Sequence, residues 1–298
     1  MNEFRQIIAE KIKENRANLS ESSLRTYVSI LVNLHNKHLK GSSYSIDYFS
    51  DNLIAIFDYL KDIAPTSRKS ILSALYVLTN NQKYRDRMIE DCKIVNDNYK
   101  NQVKSEKEEA NWITTEEIKA KYDGLYAKVL KMFQKTAVTN IGVIVEYLLI
   151  ALLGGVLESL PPRRSLDMAL LKIRNYDVKT DNYYKAGKLY FNRYKTSAKY
   201  GLQVLTVPEE LNKIIKKWIK INDSDYLLIS SSGSALSSPQ VTRILNKIFD
   251  GKKISVDMLR HIYLTNYYKN IPPLREIEAL AADMGHSVET AMTYVKRS

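Results

Sequence analysis

The sequence predicts a mainly α-helical protein with a small β-sheet, in which a helical bundle precedes a larger α+β domain. Apolar side chains recur at three- and four-residue steps through the N-terminal third, as in helices that pack through one face. Short β-prone segments cluster between residues 171 and 207. A polar, charged stretch lies between these regions, and we expect domains at 1–100 and 112–298 joined by a linker at 101–111.

The N-terminal bundle is predicted from four amphipathic segments that start with typical helix signals. Serine and proline residues open two of them, because a serine hydroxyl caps free amides and proline suits the first helical turn. The predicted helices begin at Ser20, Asp47, Pro65 and Gln82. The first is expected to end before Gly41, the second at Ile63, and the fourth near Val95.

The second domain is predicted to mix helices with strands. Residues 112–117 have the pattern of a capped helix start. Further helices are expected at 119–133, 139–153 and 208–220, after Pro239, and from Val256 to Tyr268. Strands are expected at 171–173, 188–191 and 203–207, the last two joined by a turn that contains Lys195 to Gly201.

The composition excludes several classes of protein. With 45% hydrophobic and 26% charged residues, the 298-residue chain is expected to fold rather than to stay disordered. Cys92 is the single cysteine, so an internal disulfide is impossible and a cysteine-based zinc site is not expected. The four histidines lack metal-ligand spacing. We therefore predict no metal and no cofactor.

The sequence also predicts a soluble, intracellular protein. Residues 1–16 are charged and amphipathic and lack the apolar core of a signal peptide. The most apolar stretch, 143–160, contains two glutamates and two glycines and is too short and interrupted to span a bilayer. We expect no membrane association, and a location in the nucleus or cytoplasm of a host cell or in a virion.

The positive charge is concentrated in the second domain. Residues 1–110 contain 17 Lys+Arg and 15 Asp+Glu, a net charge of +2, and the whole chain has a net charge of +12, which leaves +10 for residues 111–298. A basic domain of this size indicates a polyanionic partner, most commonly nucleic acid. We therefore predict binding to double-stranded DNA.

Motifs in the second domain occur in a recognisable order. The first is PPRRSLDMALL at 161–171, with an arginine followed by an acid and a leucine. Lys195 follows in the hairpin turn, then DMLRH at 257–261, MGHS at 284–287, and Tyr294 eight residues after the histidine. In this order and chemistry, they resemble the motifs of the tyrosine recombinase, or phage-type integrase, family.

The resemblance extends over residues 112–298 and implies an α+β catalytic domain there. The helical region at 1–100 resembles the core-binding domain of the same family, which clamps duplex DNA. The PPRR form at 161–164 also resembles integrases of eukaryotic DNA viruses and large virus-like transposons. A site-specific DNA recombinase of a virus or mobile element is therefore expected, acting as a tetramer on DNA.

The resemblance implies a role for each motif residue. Arg164 and Arg260 would bind the scissile phosphate, and Lys195 would be the general acid. His286 would stabilise the transition state. Tyr294 would be the nucleophile, giving a 3′-phosphotyrosyl intermediate and a free 5′ hydroxyl.

These residue types suit metal-free cleavage of a phosphodiester. Arginine forks neutralise charge that develops on the non-bridging oxygens, and this electrostatic stabilisation is expected to be the largest effect, about 3 kcal/mol or more. A phenol supplies the nucleophile, and an ammonium group can protonate the leaving oxygen. We further predict that Arg163, Arg243 and His261 contact DNA.

Two of these assignments have competitors nearby in the sequence. Arg163 directly precedes Arg164, but the family places an acid and a leucine three and seven residues after its arginine, which fits Arg164. Lys188 and Lys199 compete with Lys195 for the role of the acid.

The sequence departs from the family's pattern at two positions. Asp257 occupies the place of the usual histidine or lysine in the H-x-x-R box, and a carboxylate donates no proton near neutral pH unless its pKa is strongly raised. We expect it to orient a neighbouring base or to accept a hydrogen bond from the tyrosine. Tyr294 follows His286 by eight residues rather than nine, and four residues follow it, which leaves little chain for a helix exchanged between protomers.

Two other functions compete with recombination. A type IB topoisomerase shares the tyrosine chemistry but acts as a monomer, and the helical front domain argues against it. A catalytically inactive DNA-binding relative is favoured only by Asp257. A basic RNA-binding module is disfavoured, because the chain has neither an aromatic sheet signature nor a glycine-rich clamp.

Overall fold

The computed structural model describes residues 2–38, 45–102, 104–134, 140–269, 271–283 and 287–289. The chain divides into two compact units. One comprises residues 1–103 together with 272–298, and the other comprises residues 104–271. The fold class is mainly α with a small β-sheet, as predicted. The domain boundaries at residues 100 and 112, as functional divisions, stay a prediction.

The first unit is helical. Its helices are α1 (Asn2–Asn15), α2 (Glu21–His38), α3 (Tyr48–Asp51), α4 (Leu53–Leu60), α5 (Pro65–Thr79) and α6 (Gln82–Lys100). The periodic apolar residues of α2 and α5, such as Leu31 and Leu75, are fully buried in one core. The helix predicted over 47–63 is wrong as a single element, because the backbone leaves the helical region at Asn52 (φ −112°, ψ 39°).

A buried ion pair fixes this bundle internally. Arg68 of α5 donates two hydrogen bonds to Asp91 of α6, at 2.8 Å and 2.6 Å. Its Nη1 donates to carbonyl oxygens at and after the end of α4, those of Leu60, Lys61 and Ile63. The charge is thus paired and each guanidinium nitrogen donates a hydrogen bond, which is the condition for burying an arginine.

The second unit begins with α7 (Glu106–Asn111), within the segment predicted as a linker. The other helices are α8 (Thr115–Met132), α9 (Ile141–Leu153), α10 (Ser165–Ala169), α11 (Ser197–Tyr200), α12 (Glu209–Ile221), α13 (Ser238–Ile248) and α14 (Val256–Tyr267). The apolar helix α9 is buried along most of its length and forms the centre of the core. None of the described helices is long and apolar enough to cross a membrane. The helix α15 (Leu274–Asp283), which follows in the chain, belongs to the first unit.

Three antiparallel strands form the sheet in the order β1 (Tyr183–Lys185), β2 (Lys188–Phe191), β3 (Gln203–Thr206). The strands predicted at 188–191 and 203–207 are confirmed as the pair β2 and β3. The prediction of a strand at 171–173 is wrong, because only Lys172 forms isolated β-bridges there, one to Tyr183 and one to Tyr226.

Candidate active site

A cavity of about 280 Å³ lies between the starts of α10 and α14 and the side of α13. It is lined by Arg164, Ser165, Thr242, Ser255, Val256, Asp257 and Arg260. The cavity therefore brings together both arginines predicted to bind phosphate, which lie far apart in the sequence. The residues around this solvent-open space carry two guanidinium groups, three hydroxyl groups and one carboxylate.

Arg164 is positioned by the short helix that follows it. It is the extended N-cap residue of α10 (φ −67°, ψ 151°), and its carbonyl oxygen accepts a hydrogen bond from the backbone of Asp167 at 3.1 Å. The hydroxyl of Ser165 lies 2.8 Å from that of Ser238, at the start of α13. This contact joins the first turns of two helices and holds Arg164 at the rim of the cavity.

Arg163 points elsewhere. Its Nη1 donates to Oε1 of Gln203 at 2.6 Å, and its guanidinium carbon lies 4.1 Å from the centre of the Phe191 ring. Its side chain is only 14% exposed and forms an ion pair with Asp167 at 3.4 Å. Of the two adjacent arginines, Arg164 alone lines the cavity. The guanidinium of Arg163 is occupied by contacts to β2 and β3, so this geometry argues against the predicted DNA contact.

Asp167 supplies a buried countercharge to this pair of arginines. Its side chain is almost fully buried, and burial raises the pKa of its carboxyl group, while the charges of Arg163 and Arg164 lower it. The aspartate therefore stabilises the charge of Arg163 in the interior and that of Arg164 near the cavity.

The first turn of α14 positions the second arginine. The hydroxyl of Ser255, the N-cap residue, accepts a hydrogen bond from the backbone of Met258 at 3.1 Å. One turn further on, Nη1 of Arg260 lies 3.1 Å from Oδ1 of Asp257. Asp257, which departs from the family's usual residue, is thus the ion-pair partner of Arg260.

Gly155 allows the chain before Arg164 to approach α14 closely. Its φ is +67°, and a Cβ atom added there would lie 2.6 Å from Cδ2 of Tyr263 and 3.1 Å from Cγ of Pro162. Both the backbone conformation and the contact with the Tyr263 ring therefore require glycine.

We expect the substitution Gly155→Ala to destabilise the protein by about 1–3 kcal/mol, from the strained φ and the contact with Tyr263. The matched control is Gly124→Ala in α8, where a Cβ atom would meet nothing within 4 Å. That change should stabilise the protein by up to about 1 kcal/mol, because alanine favours a helix interior. Urea unfolding of both variants measures the difference, and equal midpoints would contradict it.

The described structure leaves the remaining cationic candidates outside the cavity lining. Lys195 is exposed in the segment between β2 and β3, and Arg243 is exposed on α13. The Tyr194 hydroxyl donates to the carbonyl oxygen of Gly201 at 2.6 Å and thereby braces the segment that carries Lys195. The ammonium group of Lys199 lies 5.2 Å from the centre of the Tyr200 ring. The roles of Lys195 as acid and of Arg243 as DNA contact stay predictions.

His261, predicted to contact DNA, has a protein partner instead. Its Nδ1 lies 2.9 Å from Oε1 of Glu108, on α7. The hydrogen bonds that Glu108 accepts from Ser105 are the main cause that keeps its pKa below the usual range, and His261 adds to them. His286 and Tyr294 lie outside the described residues, and their roles stay predictions.

The sequence did not identify every residue at this site. Ser255 could have been found, because serine directly before an apolar helical segment is an N-cap signal. Thr242 carries no local signal, since only the packing of α13 beside α10 brings it to the cavity. Among the described residues, no cluster of three or more potential metal-ligating side chains occurs.

Comparisons with known proteins agree with the motif order. Residues 164–298 match the model of the phage integrase family. Among curated proteins, none matches the sequence significantly.

Solved structures of recombinases resemble the chain at low identity. The XerA recombinase is 15% identical, with a TM-score of 0.37 over 99% of this chain and 94% of that one. Residues 75–356 of lambda integrase bound to DNA are 15% identical, with a TM-score of 0.48 over 91% and 87%. A lambda integrase tetramer bound to a Holliday junction is 14% identical, with a TM-score of 0.43 over 91% and 72%. Because these scores are below 0.5, we base the functional proposal on the family match and the cavity.

Proposed function

We propose that this chain, whose residues 164–298 match the phage integrase family model, is a site-specific DNA recombinase that cleaves and rejoins DNA through a 3′-phosphotyrosyl intermediate. The observation that carries the proposal is the shared cavity of Arg164 and Arg260. A tetrahedral phosphate in this cavity would meet two planar groups of N–H donors. Such forks match the non-bridging oxygens of a phosphodiester.

The cleavage step conserves the number of phosphate ester bonds. The phenolic oxygen of Tyr294 attacks phosphorus, the bond to the 5′ oxygen breaks, and the 3′ phosphate becomes a tyrosyl ester. The phenolic proton leaves to a base, and Lys195 supplies a proton to the 5′ oxygen. Attack by the 5′ hydroxyl of another strand reverses these bond changes and restores free Tyr294.

Each arginine would act mainly on the transition state. Negative charge builds up on the non-bridging oxygens as the phenol attacks, and fixed cations that already face this position need little reorganisation. The ion pair of Arg260 with Asp257 holds the guanidinium on the first turns of α14. We propose that Arg163 does not contact DNA. It instead holds Asp167 and strand β3 in place through its ion pair and its hydrogen bond to Gln203.

The assembly follows from the reaction. Exchange between two duplexes requires four strand cleavages, so we propose four copies of the chain on two duplexes. The N-terminal helical bundle and the basic second domain would both contact DNA. The phosphate contacts would supply most of the affinity.

The proposal is tested with a nicked suicide duplex that carries a candidate terminus of the virus or mobile element expected to encode this chain. Cleavage next to the nick releases a short fragment, so religation fails and the covalent protein–DNA adduct accumulates. A band of increased mass on a denaturing gel, with a free 5′ hydroxyl on the released strand, is the expected result. Joining of strands from two differently labelled duplexes would then separate a recombinase from a topoisomerase. Intact DNA binding without any adduct across a series of termini would contradict the proposal.

DNA binding itself is expected to be strongly salt-dependent. If the complex contacts about six phosphates, its affinity should fall about 10³-fold between 50 and 200 mM salt, because released counterions drive binding. Fluorescence anisotropy with a labelled duplex measures this slope. A slope near zero would show that phosphate contacts do not supply the affinity.

A further inference from the structure

The imidazole of His261 lies between two carboxylates. Its Nδ1 is 2.9 Å from Oε1 of Glu108, and its Nε2 is 3.8 Å from Oδ2 of Asp257. Oδ1 of the same aspartate lies 3.1 Å from Nη1 of Arg260. The contact of His261 with Glu108 has the length of a hydrogen bond, whereas its contact with Asp257 is a looser ionic contact. A continuous set of contacts therefore leads from α7 to the arginine at the cavity.

Glu108 is a fixed acceptor in this set. Its Oε2 accepts hydrogen bonds from the backbone amide and the hydroxyl of Ser105, both at 2.8 Å, as the third helical residue of a capping box. The carboxylate thus caps the start of α7 with one oxygen and presents the other to His261. Its side chain is only 25% exposed. A carboxylate held at both oxygens can orient an imidazole by accepting from one ring nitrogen.

Two further contacts attach the same segment to the chain before α14. The backbone amide of Lys253 donates to Oδ1 of Asn111 at 2.8 Å, and the ammonium group of Lys252 donates to the carbonyl oxygen of Trp112 at 3.3 Å. The segment around α7 is therefore attached both before the first turn of α14 and at His261 on the helix. This double attachment limits the movement of the turn that carries Asp257.

We propose that His261 is a positioning residue, which links Glu108 to Asp257 and thereby sets the orientation of Arg260 for the scissile phosphate. The inference rests on the proposed recombinase function and deepens it. The other role, the DNA contact predicted from the sequence, fits the geometry less well. Nδ1 is occupied by Glu108, and the two flanking carboxylates oppose the approach of a phosphate.

The decisive variant is Glu108→Gln, compared with Glu106→Gln on the exposed first turn of the same helix. Glutamine keeps the capping acceptor, since it suits the same helical position, but it can turn an amide donor toward Nδ1. We expect the single-turnover rate of adduct formation to fall about tenfold, because small misplacements of catalytic groups are costly. The dissociation constant for duplex DNA should stay the same, and Glu106→Gln should change neither quantity.

Variants of the histidine complete the test. His261→Ala should slow adduct formation as much as Glu108→Gln does, and the double variant should be no slower than either single variant. His261→Asn should recover only part of the rate, because its amide can donate to Glu108 from nearly the position of Nδ1 but has no atom at the position of Nε2, which faces Asp257. Weaker DNA binding by His261→Ala, with no effect of Glu108→Gln on the rate, would overturn the proposal and support a DNA contact.

A spectroscopic measurement separates this inference from the proposed function. In the free protein, ¹⁵N resonances of the His261 ring and of Nε in Arg260 should shift in Glu108→Gln and remain in place in Glu106→Gln. This readout needs neither DNA nor activity. If the wild-type chain forms no adduct, the recombinase proposal fails while the resonances still test the link. An unchanged Arg260 resonance in Glu108→Gln would overturn the positioning role whatever the activity.

Discussion

Replacement of Tyr294 by phenylalanine is expected to abolish the covalent attachment of this protein to DNA. In the proposed mechanism the phenolic oxygen forms the ester bond to phosphorus, and phenylalanine has no nucleophilic atom with which to replace it. The loss should therefore be complete on a denaturing gel with the nicked suicide duplex. Equilibrium binding to the intact duplex should persist, because the proposed arginine and lysine contacts to phosphate do not involve the phenol.

Tyr267 provides a matched control for this change. It lies on α14 seven residues after Arg260, and the residue is 67% exposed in the described structure. Tyr267→Phe removes a phenolic oxygen from the same region of the sequence, yet we expect the adduct to form normally. An adduct that persists in Tyr294→Phe and disappears in Tyr267→Phe would assign the nucleophile to α14 and contradict the motif assignment.

Replacement of Arg260 or Arg164 by lysine is expected to lower the cleavage rate about 10²- to 10³-fold, the loss that follows removal of a donor to a developing oxyanion. Lysine keeps the positive charge but cannot bind two phosphate oxygens through a planar fork. The main effect should therefore fall on the single-turnover rate with the suicide duplex rather than on DNA affinity. Because both side chains would act on one phosphate, the effects of the two changes should not be additive.

Arg174→Lys is the control for the loss of an arginine fork elsewhere in the same unit. The guanidinium of Arg174 donates to backbone carbonyls around the end of α12, including that of Ser224 at 2.9 Å. This change should lower the urea midpoint and leave the cleavage rate of the folded protein unchanged. Equal loss of rate in Arg174→Lys and Arg260→Lys would show that the cavity has no special role.

Helix starts could be predicted because their signals are local. Thr114 and Glu117 form a reciprocal capping box at the start of α8, and Ser237 and Gln240 do the same at α13. Each box joins residues three positions apart, so both partners can be recognised within one short segment of the sequence. The ion pair of Asp257 with Arg260 has the same short range, one helical turn.

Elements that depend on distant partners were predicted less well. The segment 171–173 has the residues of a strand, but it pairs at Lys172 alone, because the chain on either side leaves the sheet. Strand β1, which pairs with β2 from Tyr183 to Lys185, had no clear pattern of its own. A short strand is stabilised by its neighbour, and its own sequence carries little of that information.

The sequence by itself determined the mainly helical class, the β2–β3 hairpin and the order of motifs behind the match of residues 164–298 to the phage integrase family model. Tertiary structure decided which of two adjacent arginines reaches the cavity, because Gln203 and Phe191 hold the guanidinium of Arg163. It also decided that His261 binds Glu108, a residue 153 positions away. Local hydrogen bonds and helical periodicity depend on residues that are close in the sequence. The direction of a long side chain depends on partners that only the folded chain brings near.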